Sequence, residues 1–244
     1  MKNLSLNYKP VILFVIGLLI GIILTAVVYE MAVDREPERG WTEDFGIGSR
    51  TFASNGSNDF FILEPGYQLV LSGTENGEDL DLQVTVLNDT KIVDGVATRV
   101  VEEREWENGQ LIEVSRNFFA FCTETKSVFY FGEEVDDYKD GEIVDHGGAW
   151  ESGKNGAKAG LMMPGLVILG SAYYQEVAPG VAMDRAVNIK TDVTQTTPSG
   201  TFTNCLKVEE STPLEEGVKE YKIYAPGVGL VKDGDALLVS YGYV

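Results

Sequence analysis

The chain has one histidine, His146, and two cysteines, Cys122 and Cys205, among its 244 residues. That scarcity removes several chemistries. A Ser-His-Asp arrangement would have to be built on His146, and no GxSxG accompanies any serine. Structural zinc lacks ligands, since two distant cysteines and one histidine form no finger-type spacing. The two cysteines either pair, outside a reducing compartment, or stand as small buried residues; their spacing leaves both open. No cysteine sits near the N-terminal apolar segment, which excludes lipoprotein processing. Basic residues are also few, 19 against 38 acidic ones. An even spread of negative charge repels phosphate backbones, so no nucleic-acid partner is expected. Beyond the first 30 residues no long stretch shows a 3.6-residue apolar period, and no fixed-length repeat is present. Propellers and solenoids are therefore not expected.

What is present begins with an uncharged apolar run from Pro10 to Val28, within "KPVILFVIGLLIGIILTAVVYEM". At about 1.5 Å per residue it nearly spans the ~30 Å hydrocarbon core of a bilayer. A cleavable signal has a shorter apolar region and small residues at −3 and −1, whereas a cut after Ala32 would put Glu30 at −3. An uncleaved anchor is the expectation, with a secreted domain as the alternative if the segment is removed. Lys2 and Lys9 precede the run, while Glu30, Asp34, Glu36 and Glu38 follow it. The positive-inside rule then keeps the N-terminus in the cytoplasm and places the rest, of formal charge about −21, outside. The partner expected from this segment is the membrane, through residues 10–28.

From Ala32 to Asp59 the chain is rich in Gly, Ser, Asn and charge and reads as a tether. The division expected is a membrane anchor over 1–31, a flexible polar linker over 32–59 and an exported β domain over 60–244. Within the last, β-branched and aromatic runs such as "YQLVLSG", "DLQVTVLND" and "VKEYKIYA" alternate with Asp94-Gly95, Asn108-Gly109, Asp140-Gly141 and Asp233-Gly234, the punctuation of an antiparallel meander. "GAKAGLMMPGLVILGSAYYQEV" interrupts the rhythm and reads as a long crossing loop with a helical turn. The fold expected is all-β, a strongly curled antiparallel sheet, half-barrel or open barrel, preceded by one transmembrane helix.

"EPGYQLVLSG", "TRVVEEREWENGQLIEVSRNFFAFC", "GAWESGKNGAKAGLMMPG", "YYQEVAPGVAMDRA" and "YKIYAPGVGLV" together resemble an uncharacterised family of exported prokaryotic proteins, secreted or membrane-anchored, over about residues 60–235. The "YAPGVGLV" ending also resembles domains similar to lipoprotein-carrier half-barrels. That likeness implies a curled sheet with an apolar concave side and carries no activity.

The stretch "TRVVEEREWENGQLIEVSRNFF" carries charge on both of its expected faces. A two-residue Asn108-Gly109 turn pairs Trp106 with Leu111, Arg104 with Glu113, Glu102 with Ser115 and Val100 with Asn117. Either the hairpin tip projects into water, or Glu102, Arg104, Glu113 and Asn117 line the mouth of the curled sheet and grip a polar ligand. Tyr174 and Glu176, beside a Pro-Gly bend, are pocket-wall candidates on the same footing. "EEVDDYKDGEIVD" offers Asp136, Asp137 and Asp140 to calcium, although the spacing departs from an EF-hand. No other cofactor is expected. "GAWESGKN" nearly spells a phosphate loop but has Asn155 in place of the magnesium-binding Ser or Thr. His146, in "VDHGGAW", is expected to be an exposed loop residue.

The function expected is a non-catalytic binding or envelope-structural module, with a small molecule or lipid as ligand. The alternative is a carboxylate-dependent hydrolase of envelope polymers, since 38 acids offer many pairs.

Overall fold

A computed structural model describes residues 40–75, 77–215 and 217–244. The apolar run at 10–28 and its expected helix lie outside these residues. Among the described residues no helix is long and apolar enough to cross a membrane.

The strands are β1 (Phe52–Ala53), β2 (Gly56–Asn58), β3 (Phe61–Leu63), β4 (Tyr67–Glu75), β5 (Glu78–Val93), β6 (Val96–Glu107), β7 (Gln110–Cys122), β8 (Val128–Lys139), β9 (Glu142–Asp145), β10 (Trp150–Glu151), β11 (Lys158–Met163), β12 (Ala172–Tyr174), β13 (Glu176–Val177), β14 (Arg185–Thr197), β15 (Gly200–Ser211), β16 (Glu220–Ala225), β17 (Gly229–Asp233) and β18 (Ala236–Tyr243). At three of the four expected hairpin breaks both residues take positive φ: Asp94 49° and Gly95 78°, Asn108 50° and Gly109 76°, Asp140 54° and Gly141 82°. This backbone suits the right-handed twist of paired strands, and Asp or Asn followed by Gly adopts it most easily.

Sixteen strands form one sheet, whose main path runs β12-β14-β15-β16-β17-β18-β4-β5-β6-β7-β8-β11-β13. Every pairing along it is antiparallel. The two ends of the path, β12 and β13, are separated by Gln175 alone, so the sheet nearly closes into a barrel. Close packing at this seam depends on Gly160 of β11. A Cβ there would meet the Gln175 carbonyl oxygen at 2.2 Å. The expected crossing loop with a helical turn is thus partly wrong, because its first half is a strand pairing with β8 and β13.

Alternation along the strands builds two apolar clusters. The larger fills part of the barrel and includes Leu63, Leu71, Val101, Phe119, Leu206 and Leu238. The smaller lies against the other face of β6–β8, where Phe118, Ala120, Cys122, Phe129 and Phe131 pack with Phe45, Ile47 and Phe52 from the start of the described chain. Residues 40–59, expected to belong to a linker, are therefore part of the compact unit Gly40–Val244, and the boundary expected at residue 60 falls inside it. The seemingly polar 45–52 segment supplies three aromatic or aliphatic side chains to this cover, too sparsely spaced to show a period. Cys122 and Cys205 are buried and free.

Arg99 is also buried and has no carboxylate partner among the described residues. Its Nε donates to Ser54 O at 2.9 Å and its Nη1 to Asn88 O at 2.8 Å. Backbone carbonyls thereby satisfy the guanidinium and fasten the 40–59 segment to the irregularity in β5 between Val86 and Thr90.

Candidate functional site

The β6–β7 hairpin begins in the expected register, with Trp106 opposite Leu111. A bulge between Glu105 and Trp106 then moves every following pair by one: Arg104 faces Val114, Glu103 faces Ser115 and Val101 faces Asn117. Because side chains alternate, a one-residue slip exchanges faces. Glu103 points into the barrel, while Glu102 and Arg104 point out, which corrects their placement at the mouth. Outside, Arg104 Nε contacts Glu102 Oε1 at 2.7 Å, and Arg116 Nε lies 3.5 Å from Glu102 Oε2. Glu113 and Asn117 do face inward. A second irregularity, between Asn117 and Phe119, lets both Tyr130 and Glu133 of β8 point inward despite their odd spacing.

These residues border a cavity of about 230 Å³. Its apolar lining includes Phe60, Phe61, Leu69, Val84 and Leu230. Among these stand Glu103, directly opposite Val84 in the register, Glu113, Glu133, Glu176, Asp184, Glu210 and Asp233, and one basic residue, Lys222. Lys222 is already engaged: its Nζ lies 3.2 Å from Glu210 Oε2 and 3.2 Å from Asp233 Oδ2. Glu210 also accepts a 2.9 Å bond from Gln175 Nε2. Burial opposes the charged form of Lys222, but Asp233 and Glu210 outweigh it and hold the ammonium protonated well above its ordinary range.

Among the described residues the other cavity acids have no basic side chain in ion-pair contact. Burial pushes Glu103 up to about 8, with Lys222 pulling the other way and Glu105 adding to the rise. Burial, then Glu105 and Asp137, raises Glu113 to about 7. Glu133 rises to about 7 through burial, against the Tyr130 hydrogen bond and with Glu113 adding. Glu176 is lifted well above the carboxylate range by burial and by Glu133 and Asp184. The Trp150 indole N–H is buried without a hydrogen bond of standard geometry, although it lies close enough to Glu176 to oppose that rise.

Tyr130 links the wall together. Its hydroxyl is 2.9 Å from Glu133 Oε2 and also bonds Asn117 Oδ1, while Asn117 Nδ2 donates to Ser115 Oγ at 3.2 Å. The hydroxyl has one proton to give. When it goes to Asn117, a protonated Glu133 donates back to Tyr130, in keeping with its raised pKa.

Of the residues singled out in the sequence, Glu113, Asn117 and Glu176 meet in this cavity. Tyr174 does not; it packs outside with its ring centroid 6.1 Å from that of Trp41. The calcium candidates do not converge. Asp136 pairs with Arg116 at 3.0 Å and His146 at 3.0 Å on the outer face, Asp137 sits opposite Glu113, and Asp140 occupies a turn. Among the described residues no group of three or more His, Cys, Asp or Glu side chains is placed to hold a metal ion. His146 is largely exposed, with Nδ1 2.8 Å from Val135 O. In the near-phosphate loop Lys154 binds Glu151 at 2.6 Å, a structural use. Sequence reasoning missed Glu103, Glu133 and Tyr130, because two strand irregularities set which residues face inward, and Lys222, because the order of strands brings β16 to the cavity.

Compared against protein-family models, curated proteins and solved structures, the chain matches none.

Proposed function

We propose that residues 10–28 anchor the chain in a membrane with the N-terminus in the cytoplasm, and that the β domain outside is a small-molecule binding module. The anchor reading is supported by the length and purity of the apolar run and by the distribution of charge around it. The binding reading rests on one observation: a cavity of mixed apolar and acidic lining, with seven carboxylates and one lysine that two of those carboxylates already hold. A molecule with a short apolar body and a basic group matches that lining. Its ammonium would replace the protons that Glu103, Glu113, Glu133 and Glu176 otherwise retain. At about 230 Å³ the space falls below the roughly 300–1,000 Å³ of a drug-sized site, so the ligand is small.

Calorimetric titration of the full chain at pH 8 with phenethylamine, 2-phenylethanol and phenylacetate tests this. The amine should bind, the alcohol at least tenfold more weakly, and the acid not at all. Equal binding of all three, or of none, rejects the reading.

A second reading, a carboxylate-dependent hydrolase, draws on Glu133 and Glu176, two acids lining one cavity, both raised chiefly by burial, with Glu133 adding to the rise of Glu176. Such a pair supplies the acid and base of glycoside hydrolysis. Release of reducing ends from envelope polysaccharide, abolished by Glu176→Gln, would replace binding with catalysis.

A further inference from the structure

Residues 159–175, "AGLMMPGLVILGSAYYQ", contain no charged side chain in a chain that is 23% charged. Part of this stretch is β11 and β12, but the loop between them, Pro164–Gly170, projects from the barrel. Leu166 is 76% exposed, Ile168 60% and Leu169 54%. Ile189 of β14 adjoins them, because its neighbour Asn188 accepts from Gly170 N at 2.8 Å and donates from Nδ2 to Ile168 O at 3.4 Å. The base of the loop is fixed: Gly165 N donates to Ser127 Oγ at 3.0 Å, and a Cβ on Gly165 would meet Thr125 O at 2.1 Å. The sheet therefore holds an aliphatic tip in water.

The described chain begins beside this tip. Thr42 N donates to Ala172 O at 3.0 Å, and Tyr174 N donates to Thr42 O at 2.9 Å. Trp41 packs on Tyr174, and the Arg185 guanidinium lies 4.3 Å above its ring. Tryptophan, tyrosine and arginine next to projecting aliphatics are the side chains that settle at a membrane–water boundary, ring in the headgroups and charge in water.

We infer that the loop Pro164–Gly170, with Ile189 and the Trp41–Tyr174–Arg185 group, forms a face that inserts into the surface of a phospholipid bilayer. Three observations favour lipid over a second protein surface. The apolar run at 10–28 ends eleven residues before Gly40, and even fully extended those residues reach at most about 40 Å. A tip of four aliphatic side chains is far short of the roughly 20–30 residues per side of a stable protein interface. A tethered domain also needs only weak contacts, because the anchor supplies a high effective concentration. The inference draws its orientation from the anchor reading above, and the two separate in one experiment.

Full-length Ile168→Cys protein, labelled with nitrobenzoxadiazole, is reconstituted with phosphatidylcholine vesicles containing spin-labelled lipid; Ile143→Cys, at an exposed site in β9, is the control. The native cysteines are buried and stay unlabelled without denaturant. The label at 168 should be quenched about threefold more than that at 143, as expected for side chains seated some 5–10 Å into the boundary. Adding Leu166→Glu and Leu169→Glu, both at exposed sites, should erase the difference while far-UV circular dichroism is unchanged. Carbonate extraction reads the anchor independently. Protein that resists extraction without selective quenching at 168 overturns the loop and keeps the anchor. Protein that is extracted yet selectively quenched does the reverse. Concentration-dependent crosslinking through residue 168 without quenching by lipid assigns the face to a second copy and also overturns the inference.

Discussion

The two faces of strands β6, β7 and β8 both carry acids but treat them differently. Outside, Glu102 meets Arg104 and Arg116, Asp136 meets Arg116 and His146, and Lys91 bridges Glu134 at 2.7 Å and Glu151 at 2.8 Å. Inside, Glu103, Glu113 and Glu133 have no basic side chain in contact among the described residues, and Lys222 is committed elsewhere. The chain's few cations are thus spent on the outer face, where solvent already stabilises charge and each pair contributes about 0–1 kcal/mol. The inner acids are left to hold their protons. A fold serving stability alone would reverse that allocation, which is why the inner wall reads as a site.

The contrast can be broken most sharply at Lys222. Lys222→Met leaves Glu210 and Asp233 together without a counterion, and removing one partner of a buried pair costs about 3–5 kcal/mol. Melting at pH 8 should fall by roughly 6–20 °C for a domain of this size. A loss no larger than that of an outer-face variant would erase the distinction.

Next comes pH itself. An unfolded carboxylate ionises near 4.5, whereas Glu113 and Glu133 do so near 7 and Glu103 near 8. Between those values the folded state holds more protons than the unfolded one, so stability declines as pH rises from about 4.5 to 8. Most proteins gain stability across the lower part of that range. Urea unfolding at pH 5 and pH 8 should show the higher midpoint at pH 5, and the opposite order would mean that the inner acids are solvated.

Smaller still, Glu103→Gln should raise stability at pH 8 by about 1–2 kcal/mol and have little effect at pH 5, since the amide imitates the protonated acid. Glu134→Gln, outside, should lower it by less than about 1 kcal/mol. Arg116→Ala should be the mildest change, within about 1 kcal/mol, because Glu102 keeps Arg104 and Asp136 keeps His146. Paired denaturation curves at pH 7.5 rank the three.

Much of the β architecture was legible. Asp-Gly and Asn-Gly pairs mark three hairpins because few other residues accept two successive positive φ values, and alternating β-branched residues mark the long strands. Inward and outward faces were legible only as far as the first irregularity. Trp106 and Leu111 pair as a two-residue turn requires, yet one extra residue in β7 carries Glu102 and Arg104 outward and Glu103 inward. Nothing local in "QLIEVS" signals that bulge. Glu113, Asn117 and Glu176 were legible as residues of the sheet's inner side, whereas Lys222 lies more than 100 positions from the hairpin and reaches the cavity only through the order of strands. Residues 40–59 were misread because burial on the outer face of a sheet needs only Phe45, Ile47 and Phe52, with no repeat among them.

The place of β18 has a consequence for how the domain is made. Ala236–Tyr243 lies between β17 and β4, with Tyr243 opposite Tyr67, so the early and late halves of the sheet are stitched together by this one strand. Until that strand is in place, β4 has an open edge, and the hairpins on either side can form but cannot enclose anything. Closing the sheet is accordingly the slow step of folding, as a pairing so distant in sequence dictates.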